Sequence, residues 1–193
     1  MTVTVLTGPS GVGKGTVVTR LIQQHPEIRL SVSVTTRPPR PAEKHGVNYW
    51  FISDDEFDAL VASDNLLEWA LVHGVHRYGT PRQPVLKALA EGRACLLELD
   101  LAGARRVRQK MPQARTVFLM PPNREELERR LRGRGTEGEA ELRRRFRTTE
   151  LELAAASEFD GIIVNRDVAQ TCEELVGFMG LSPGIAGREN QLE

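Results

Sequence analysis

Apolar positions follow two different spacings along this 193-residue chain. Short continuous runs of aliphatic and β-branched residues predict buried strands at residues 3–6, 94–99 and 114–120, and a last strand is predicted at 161–164. Between them, apolar residues three and four positions apart predict helices at residues 13–24, 81–91, 101–110 and 169–179. Strands that alternate with helices are typical of a parallel core sheet flanked by helices, so the sequence predicts an α/β fold.

The segment from about residue 32 to residue 81 departs from this rhythm. It holds predicted strands at 31–35 and 49–52, one helix at 54–63, and a small hairpin at 66–73 and 75–78. Ser53 and Glu56 form a capping-box pattern at the start of that helix. We therefore expect a small subdomain at about 32–81, inserted into a core made of residues 1–31 and 82–180, and a flexible tail at 181–193.

The charge balance argues against partners that bind through bulk charge. Lys and Arg together number 26, Asp and Glu also number 26, and the formal net charge is zero. Nucleic acid and anionic membrane are therefore not expected as partners, and no run approaches the ~20 apolar residues of a membrane span. Cys95 and Cys172 lack metal-type spacing and suit a reducing compartment, so a cytoplasmic location is expected.

A glycine-rich loop follows the first predicted strand and precedes the first predicted helix. Its residues, which match the pattern G-x-x-x-x-G-K, are Gly8, Pro9, Ser10, Gly11, Val12, Gly13, Lys14, Gly15 and Thr16. In such a loop, backbone N–H groups cradle phosphate oxygens and the lysine adds a point charge. Gly15 stands where a Mg²⁺-binding hydroxyl is usual, and Thr16 follows it. We therefore expect nucleotide phosphates and water to hold most of the Mg²⁺ shell.

A second anion site is predicted in the middle segment. Arg37 and Arg40 lie three residues apart on a proline-rich loop, and Tyr49 and Tyr78 supply hydroxyl donors nearby. Glu68 offers a carboxylate that can accept from two adjacent N–H donors, which guanine presents on one edge and adenine does not. Taken singly, the tyrosines also suit half-buried aromatic positions, and the glutamate also suits a solvated strand position.

Taken together, the motifs resemble those of guanylate kinases. They are GPSGVGKGT at residues 8–16, SVSVTTRPPRPAE at 31–43, the GxxY pattern at 46–49, LEW at 67–69, YGT at 78–80, LELD at 97–100 and RLRGRGTE at 130–137. The resemblance covers about residues 3–180 and implies a P-loop kinase fold with a GMP-binding subdomain and a mobile lid at about 130–145. It also implies an ATP:GMP phosphotransferase that forms ADP and GDP, serves guanine nucleotide metabolism and accepts dGMP as well.

The resemblance assigns ten residues to GMP binding: Ser33, Arg37, Arg40, Glu43, Tyr49, Glu68, Tyr78, Thr80, Glu98 and Asp100. Ser33, Glu68 and Thr80 match contacts to the base, whereas the two arginines and two tyrosines match ligands of the phosphate. Glu43 is expected to orient the arginine loop, and Glu98 stands where aspartate is usual. Two local alternatives stay open, because Thr80 and Asp100 each precede a predicted helix and also suit N-caps.

Arginine makes up 22 of the 26 basic residues, and nine arginines lie between residues 124 and 147. The resemblance implies that Arg130, Arg134 and Arg145 reach the transferring phosphoryl group; together with Lys14 and Arg37 they are the expected catalytic residues. Gly133, Gly135 and Gly138 are interpreted as hinges of the lid. A solvated, salt-bridged face is the interpretation for Arg124, Arg129, Arg132, Arg143 and Arg147.

The expected cofactor is Mg²⁺ bound with ATP, with Thr16 and Asp100 as candidate ligands. Both a monomer and a homodimer stay open. Two rival functions are also considered: a small-molecule kinase on the same fold that phosphorylates a sugar phosphate, and a non-catalytic module that binds phosphopeptides. The complete base-reading set argues against the first rival, and Lys14 with the lid arginines argues against the second.

Overall fold

The structure is a computed structural model that describes residues 2–72, 75–132 and 139–181, with the backbone alone for residues 139–145. The chain divides into two compact units. The first unit contains Met1–Thr7 and Arg29–Val117, and the second contains Gly8–Ile28 and the chain from Phe118 onward.

Nine strands and seven α-helices make up the described parts of the chain. The strands are β1 (Val3–Thr7), β2 (Arg29–Leu30), β3 (Val34–Thr35), β4 (Trp50–Phe51), β5 (Leu66–Val72), β6 (His76–Pro81), β7 (Cys95–Glu98), β8 (Arg115–Met120) and β9 (Gly161–Val164). The helices are α1 (Lys14–Gln24), α2 (Asp54–Ala62), α3 (Arg82–Ala90), α4 (Leu101–Lys110), α5 (Arg124–Arg132), α6 (Glu139–Ala154) and α7 (Val168–Phe178), with a short 3₁₀ helix at Ala156–Glu158.

The core sheet has the strand order β2-β7-β1-β8-β9. Strands β1 and β7 are parallel, with Val3 opposite Cys95 and Leu6 opposite Glu98, and β2 runs parallel to the other side of β7. All five residues of β1 are buried, as expected for a strand whose two faces are both covered. Within the first unit α4 packs on β1, and within the second α1 packs on α7. The predicted α/β class is confirmed.

A second sheet of four strands, in the order β4-β3-β6-β5, carries the middle segment. Strands β5 and β6 form the predicted hairpin, and β3 pairs antiparallel to β6 and parallel to β4. Val34, Phe57 and Leu66 form a small buried cluster that joins this sheet to α2. The capping box is present, since the Ser53 hydroxyl accepts from the Glu56 N–H while the Glu56 carboxylate accepts from the Ser53 N–H.

The single strand predicted at residues 31–35 is wrong. Only β3, in the second sheet, lies within this range; β2, in the core sheet, ends at Leu30, and Ser31 to Ser33 lie between the two strands. The Ser31 N–H still donates to Leu96 O at 2.9 Å, whereas Ser33 O already accepts from Trp50 N–H at 2.8 Å. The backbone therefore changes hydrogen-bond partners from one sheet to the other within three residues.

The two open N-cap alternatives have different outcomes. Thr80 lies inside β6, and the residue that precedes α3 is Pro81, so the N-cap alternative for Thr80 is wrong. Asp100 does cap α4, because its side chain accepts from the Gly103 N–H at 2.7 Å. Asn123 caps α5, because its side-chain oxygen accepts from the Glu126 N–H at 2.8 Å.

Several predictions lie outside the described residues. They concern Arg134, the side chains of Arg143 and Arg145, the hinge glycines Gly133, Gly135 and Gly138, and the tail beyond Leu181.

Both cysteines are free and buried, and burial raises the pKa of the Cys95 thiol to about 11. No helix in the described ranges combines the length and apolar character needed to cross a membrane.

Candidate functional site

The phosphate loop joins β1 to α1 through a backbone that needs glycine at two points. Gly8 has φ 148°, and a Cβ there would lie 2.5 Å from Leu119 O. Gly13 has φ 100° and is the residue directly before α1. Because L-residues rarely adopt these φ values, glycine at both positions lets the loop fold back over the start of the helix. The strand–loop–helix context that the motif requires is therefore present.

Lys14 is the first residue of α1, and its side chain turns back over the loop. Its Nζ donates to Gly8 O at 2.6 Å and to Pro9 O at 3.2 Å. The ammonium group therefore lies against the loop backbone, where phosphate oxygens would meet it. The Ser10 N–H of the same loop lies 3.3 Å from the Glu152 carboxylate of α6.

The carbonyl of Val12 receives two side-chain donors from distant parts of the chain. Asn165 Nδ2 donates to it at 2.7 Å, and Arg130 Nη1 donates at 3.0 Å. The Arg130 Nε also donates to Glu126 Oε1 at 2.7 Å. Arg130 is thus placed at the phosphate loop by α5, at the position where a donor-side arginine is expected.

The loop that carries Arg37 and Arg40 forms a compact cluster around Arg37, which is a candidate anion site. Its Nη2 donates to both Glu43 carboxylate oxygens, at 2.8 and 2.9 Å, and its Nε donates to the Tyr78 hydroxyl at 2.9 Å. The guanidinium also lies over the rings of Tyr49 and Phe51, at 5.6 and 5.8 Å. The hydrogen bond to Glu43 raises the pKa of Arg37 and, reciprocally, lowers the pKa of Glu43. Arg37 is therefore held rigidly as a cation.

Glu43 also organises the loop itself, because its Oε2 accepts from the Arg40 N–H at 2.8 Å. The Arg40 side chain is exposed, as is expected of a group that reaches a ligand from the rim. Tyr49 and Tyr78 pack edge to face at 5.6 Å. Burial raises the pKa of Tyr49, and the charges of Tyr78 and Glu98 add to the effect. Glu98 thus lies near enough to Tyr49 to influence its hydroxyl electrostatically.

Glu68 is the buried carboxylate of the second sheet, with 7% of its surface exposed. Its Oε1 accepts from the Thr80 hydroxyl at 2.7 Å. Burial raises the pKa of Glu68, and the negative charge of Asp100 adds to the effect. The interpretation of Glu68 as a solvated strand residue is therefore wrong.

The Glu68 carboxylate also faces the first turn of α4. A Cβ added to Gly103 would lie 3.1 Å from both Glu68 Oε2 and Asp100 Oδ1. Glycine at this helical position gives both carboxylates room. Ser33 is half-buried between β2 and β3.

Two of the arginines predicted to form a solvated, salt-bridged face, Arg124 and Arg129, are exposed and form ion pairs, and Arg132 and Arg147 are exposed. Arg124 pairs with Glu128 and Glu150, and Arg129 pairs with Glu126. Hydrogen bonds from Arg129, which has the larger effect, and from Arg130 lower the pKa of Glu126 to about 2. Arg132 lies over the Phe146 ring at 5.8 Å.

The residues present fit a magnesium ion that arrives with a nucleotide. Within residues 2–72, 75–132 and 139–181, no group of three or more His, Cys, Asp or Glu side chains could hold a metal ion. Mg²⁺ characteristically keeps several waters and uses substrate phosphates together with one or two protein oxygens. The Thr16 hydroxyl, exposed on the first turn of α1, is an oxygen available for such a contact.

Two contributors to these sites carry no recognised motif. Asn165 follows β9 and contacts Val12, 153 positions away in the sequence. A polar residue directly after a predicted strand was the available signal, since parallel strands place functional groups at their carboxyl ends. Gly103 lies in the α4 sequence as an ordinary small residue, and only its contact with Glu68 distinguishes it.

A parallel α/β sheet, a glycine-rich phosphate loop with its lysine, and a separate arginine–tyrosine anion site define a P-loop phosphotransferase. The guanylate kinase family model matches residues 1–180. The chain is 59% identical over 176 residues to a guanylate kinase of Thermobifida fusca (strain YX), covering 91% of this chain and 89% of that protein. The chain therefore belongs to the guanylate kinase family.

Two further comparisons agree. A guanylate kinase of Leifsonia xyli subsp. xyli (strain CTCB07) is 55% identical over 179 residues, or 93% of this chain and 70% of that protein. The crystal structure of guanylate kinase from Anaplasma phagocytophilum superposes with a TM-score of 0.74 at 30% identity, covering 93% of this chain and 84% of that chain. The resemblance drawn from the motifs is confirmed.

Proposed function

We propose that the protein transfers the γ-phosphoryl group of ATP to GMP, giving ADP and GDP, and that dGMP is a further acceptor. The observation that carries the acceptor assignment is the arrangement of strand β6. Tyr78 and Thr80 are two residues apart, so their side chains lie on the same face of the strand. One joins the Arg37 anion site, and the other holds the Glu68 carboxylate.

Two residues along a strand span roughly 7 Å. A phosphate group and a purine base of one nucleotide can therefore be bound along this face. A carboxylate suits guanine, because it accepts from the adjacent ring and amino N–H groups on one edge of that base. Adenine lacks this pair of donors, and selection for GMP over AMP follows.

The acceptor phosphate would be held by Arg37, Arg40, Tyr49 and Tyr78, with Glu43 orienting the arginines. Glu68, Thr80 and Ser33 would read the base, and Glu98 and Asp100 would supply negative charge beside it. The subdomain at about residues 32–81 would thus be the GMP-binding part, within a core of residues 1–31 and 82–180.

The donor ATP would bind the phosphate loop, residues 8–16, with Lys14 and Arg130 beside its terminal phosphates. Arg134 and Arg145 would join them from the lid at about 130–145. Thr16 and Asp100 would be the candidate protein ligands of Mg²⁺ bound with ATP, and the ion would supply positive charge that offsets the charge of the phosphates. Free, buried thiols at Cys95 and Cys172 suit a reducing compartment, so cytoplasm is the proposed location.

The reaction requires little covalent chemistry from the protein. An anionic oxygen of the GMP phosphate attacks the γ-phosphorus in line, the bond to the β-γ bridging oxygen breaks, and ADP leaves with the electron pair. No general base is needed, because the attacking oxygen already carries negative charge. The cationic side chains hold the reactants and neutralise charge in the loose transition state.

An assay of ADP release tests this proposal. Wild-type protein is mixed with ATP, Mg²⁺ and, in separate reactions, GMP, dGMP, AMP, UMP or ribose 5-phosphate. We expect turnover with GMP and dGMP and background rates with the others. Background rates with GMP, or equal rates with all acceptors, would overturn the assignment.

A further inference from the structure

The peptide group between Val12 and Gly13 is fixed from one side by two donors. Asn165 Nδ2 and Arg130 Nη1 both donate to Val12 O, at 2.7 and 3.0 Å. A peptide group is planar and trans, so its carbonyl and its N–H point in opposite directions. Holding the Val12 carbonyl therefore sets the direction of the Gly13 N–H.

The Gly13 N–H belongs to the loop whose backbone donors cradle phosphate. Gly13 adopts φ 100°, and glycine has little steric resistance to rotation of its neighbouring peptide groups. The loop therefore needs an external constraint at this point. We infer that Asn165 is a positioning residue of the phosphate loop, which aims the Gly13 N–H at the phosphates of ATP. This inference rests on the proposed donor role of the loop.

The amide of Asn165 is itself oriented. Its Oδ1 lies 3.1 Å from the Thr171 hydroxyl, which also lies 2.7 Å from Asp167 O. Its backbone N–H donates to Met120 O at 2.8 Å. Because a carbonyl can only accept, the nitrogen of the amide must face Val12. A carboxylate of the same shape would place an acceptor against an acceptor.

Asn165 acts through the loop rather than on the nucleotide, because only 2% of its surface is exposed. The packing is close as well, since a Cβ on Gly13 would lie 2.7 Å from Asn165 Nδ2. The effect of a substitution should therefore be felt by the phosphate chain of the ligand, whatever base is attached to it.

The test compares Asn165→Asp with wild type in binding measurements with Mg-ATP, Mg-tripolyphosphate and GMP. We expect the affinities for Mg-ATP and tripolyphosphate to fall by similar factors, each about tenfold or more, and the affinity for GMP to stay unchanged. Thr171→Ser keeps the orienting hydroxyl and should bind all three ligands as wild type does. If Asn165→Asp does not fold, Thr171→Val tests the same network and should give a smaller loss in the same direction.

Three results would overturn the inference. They are wild-type affinity for both triphosphates in a folded Asn165→Asp variant, a loss confined to ATP that spares tripolyphosphate, and an equal loss for GMP and ATP. The second would mean that the side chain serves the base, and the third that it only stabilises the fold. The proposed function fails separately, if the wild-type protein does not phosphorylate GMP.

Discussion

Glu68 and Thr80 face each other across the antiparallel strands β5 and β6, joined by a 2.7 Å hydrogen bond from the hydroxyl to Oε1. Both residues are buried. Because one carboxylate oxygen is already occupied by the hydroxyl, the side chain is confined to a single position. A base-reading carboxylate benefits from such confinement, since it need not be ordered when the ligand binds.

Replacing Glu68 by glutamine tests the base-reading role directly. The amide keeps the shape of the side chain but presents one donor where two acceptor oxygens are needed. We expect the KM for GMP to rise about tenfold or more, with the KM for ATP within about twofold of wild type. Steady-state kinetics with each substrate varied in turn measures both values. An equal rise for both substrates would remove Glu68 from the specificity role.

A comparison of wild type with Glu68→Gln also tests whether the pKa of Glu68 is raised. Burial raises the pKa of this carboxyl above its ordinary value of 4.5. The folded protein therefore holds this proton more tightly than the unfolded chain, and the stability it contributes is lost as the pH rises through the folded pKa. Wild type should therefore lose stability relative to Glu68→Gln as the pH rises from about 4.5 through the raised pKa of Glu68. Urea unfolding of both proteins at several pH values measures the difference, and a constant difference would contradict the raised pKa.

The apolar pattern predicts the core sheet well because parallel strands are buried on both faces and therefore read as continuous apolar runs. It fails at residues 31–35, because β2 of the core sheet already ends at Leu30 and β3 of the second sheet begins only at Val34. A local pattern reports that a residue is extended but does not report which neighbour it pairs with. Only the hydrogen-bond partners, Leu96 for Ser31 and Trp50 for Ser33, show that the backbone passes from one sheet to the other.

In the candidate site, too, the sequence predicts features that are local but not those that depend on contacts between distant residues. The phosphate loop and the arginine loop are contiguous in sequence, so the motifs contain them. Asn165 and Gly103 act through contacts with residues far along the chain, and no local spacing marks them. Thr80 suited a helix cap by its sequence position, but its hydroxyl bonds to a carboxylate that pairs with it across two strands.

Gly103 should be sensitive to the smallest enlargement. A Cβ at this position would lie 3.1 Å from Glu68 Oε2 and from Asp100 Oδ1, so at least one carboxylate must shift. We expect Gly103→Ala to raise the KM for GMP roughly tenfold while the KM for ATP stays near wild type. Gly177→Ala is the matched control, because a Cβ at that helical glycine meets nothing within 4 Å. That control should keep full activity and gain up to about 1 kcal/mol in stability. Equal kinetics for the two alanine variants would show that the carboxylates tolerate the methyl group.

Glu43 is expected to matter through the arginine that it holds. Glutamine at this position loses the charge and the paired oxygens that fix Arg37 and the Arg40 N–H. We expect Glu43→Gln to lower kcat/KM for GMP about tenfold, whereas the KM for ATP should change little. Glu56→Gln removes a carboxylate from the capping box of α2, so it should lower the melting temperature but leave both KM values unchanged. If both variants lower the melting temperature alike and neither alters GMP kinetics, Glu43 has only a structural role.

Replacing Lys14 by alanine tests the proposed binding of ATP by the phosphate loop most directly. Its ammonium group lies against Gly8 O and Pro9 O, at 2.6 and 3.2 Å, in the loop that would hold the terminal phosphates of ATP. We expect Lys14→Ala to lower kcat on the order of 10³-fold, because a cation that neutralises the transferring phosphoryl group is lost. The fold should survive, and far-UV circular dichroism with a thermal melt checks that it does. Lys87→Ala on the exposed surface of α3 is the control and should keep wild-type rates. Near-normal turnover by a folded Lys14→Ala variant would contradict the assignment of the loop to the donor phosphates, because no other residue of the loop supplies a cation.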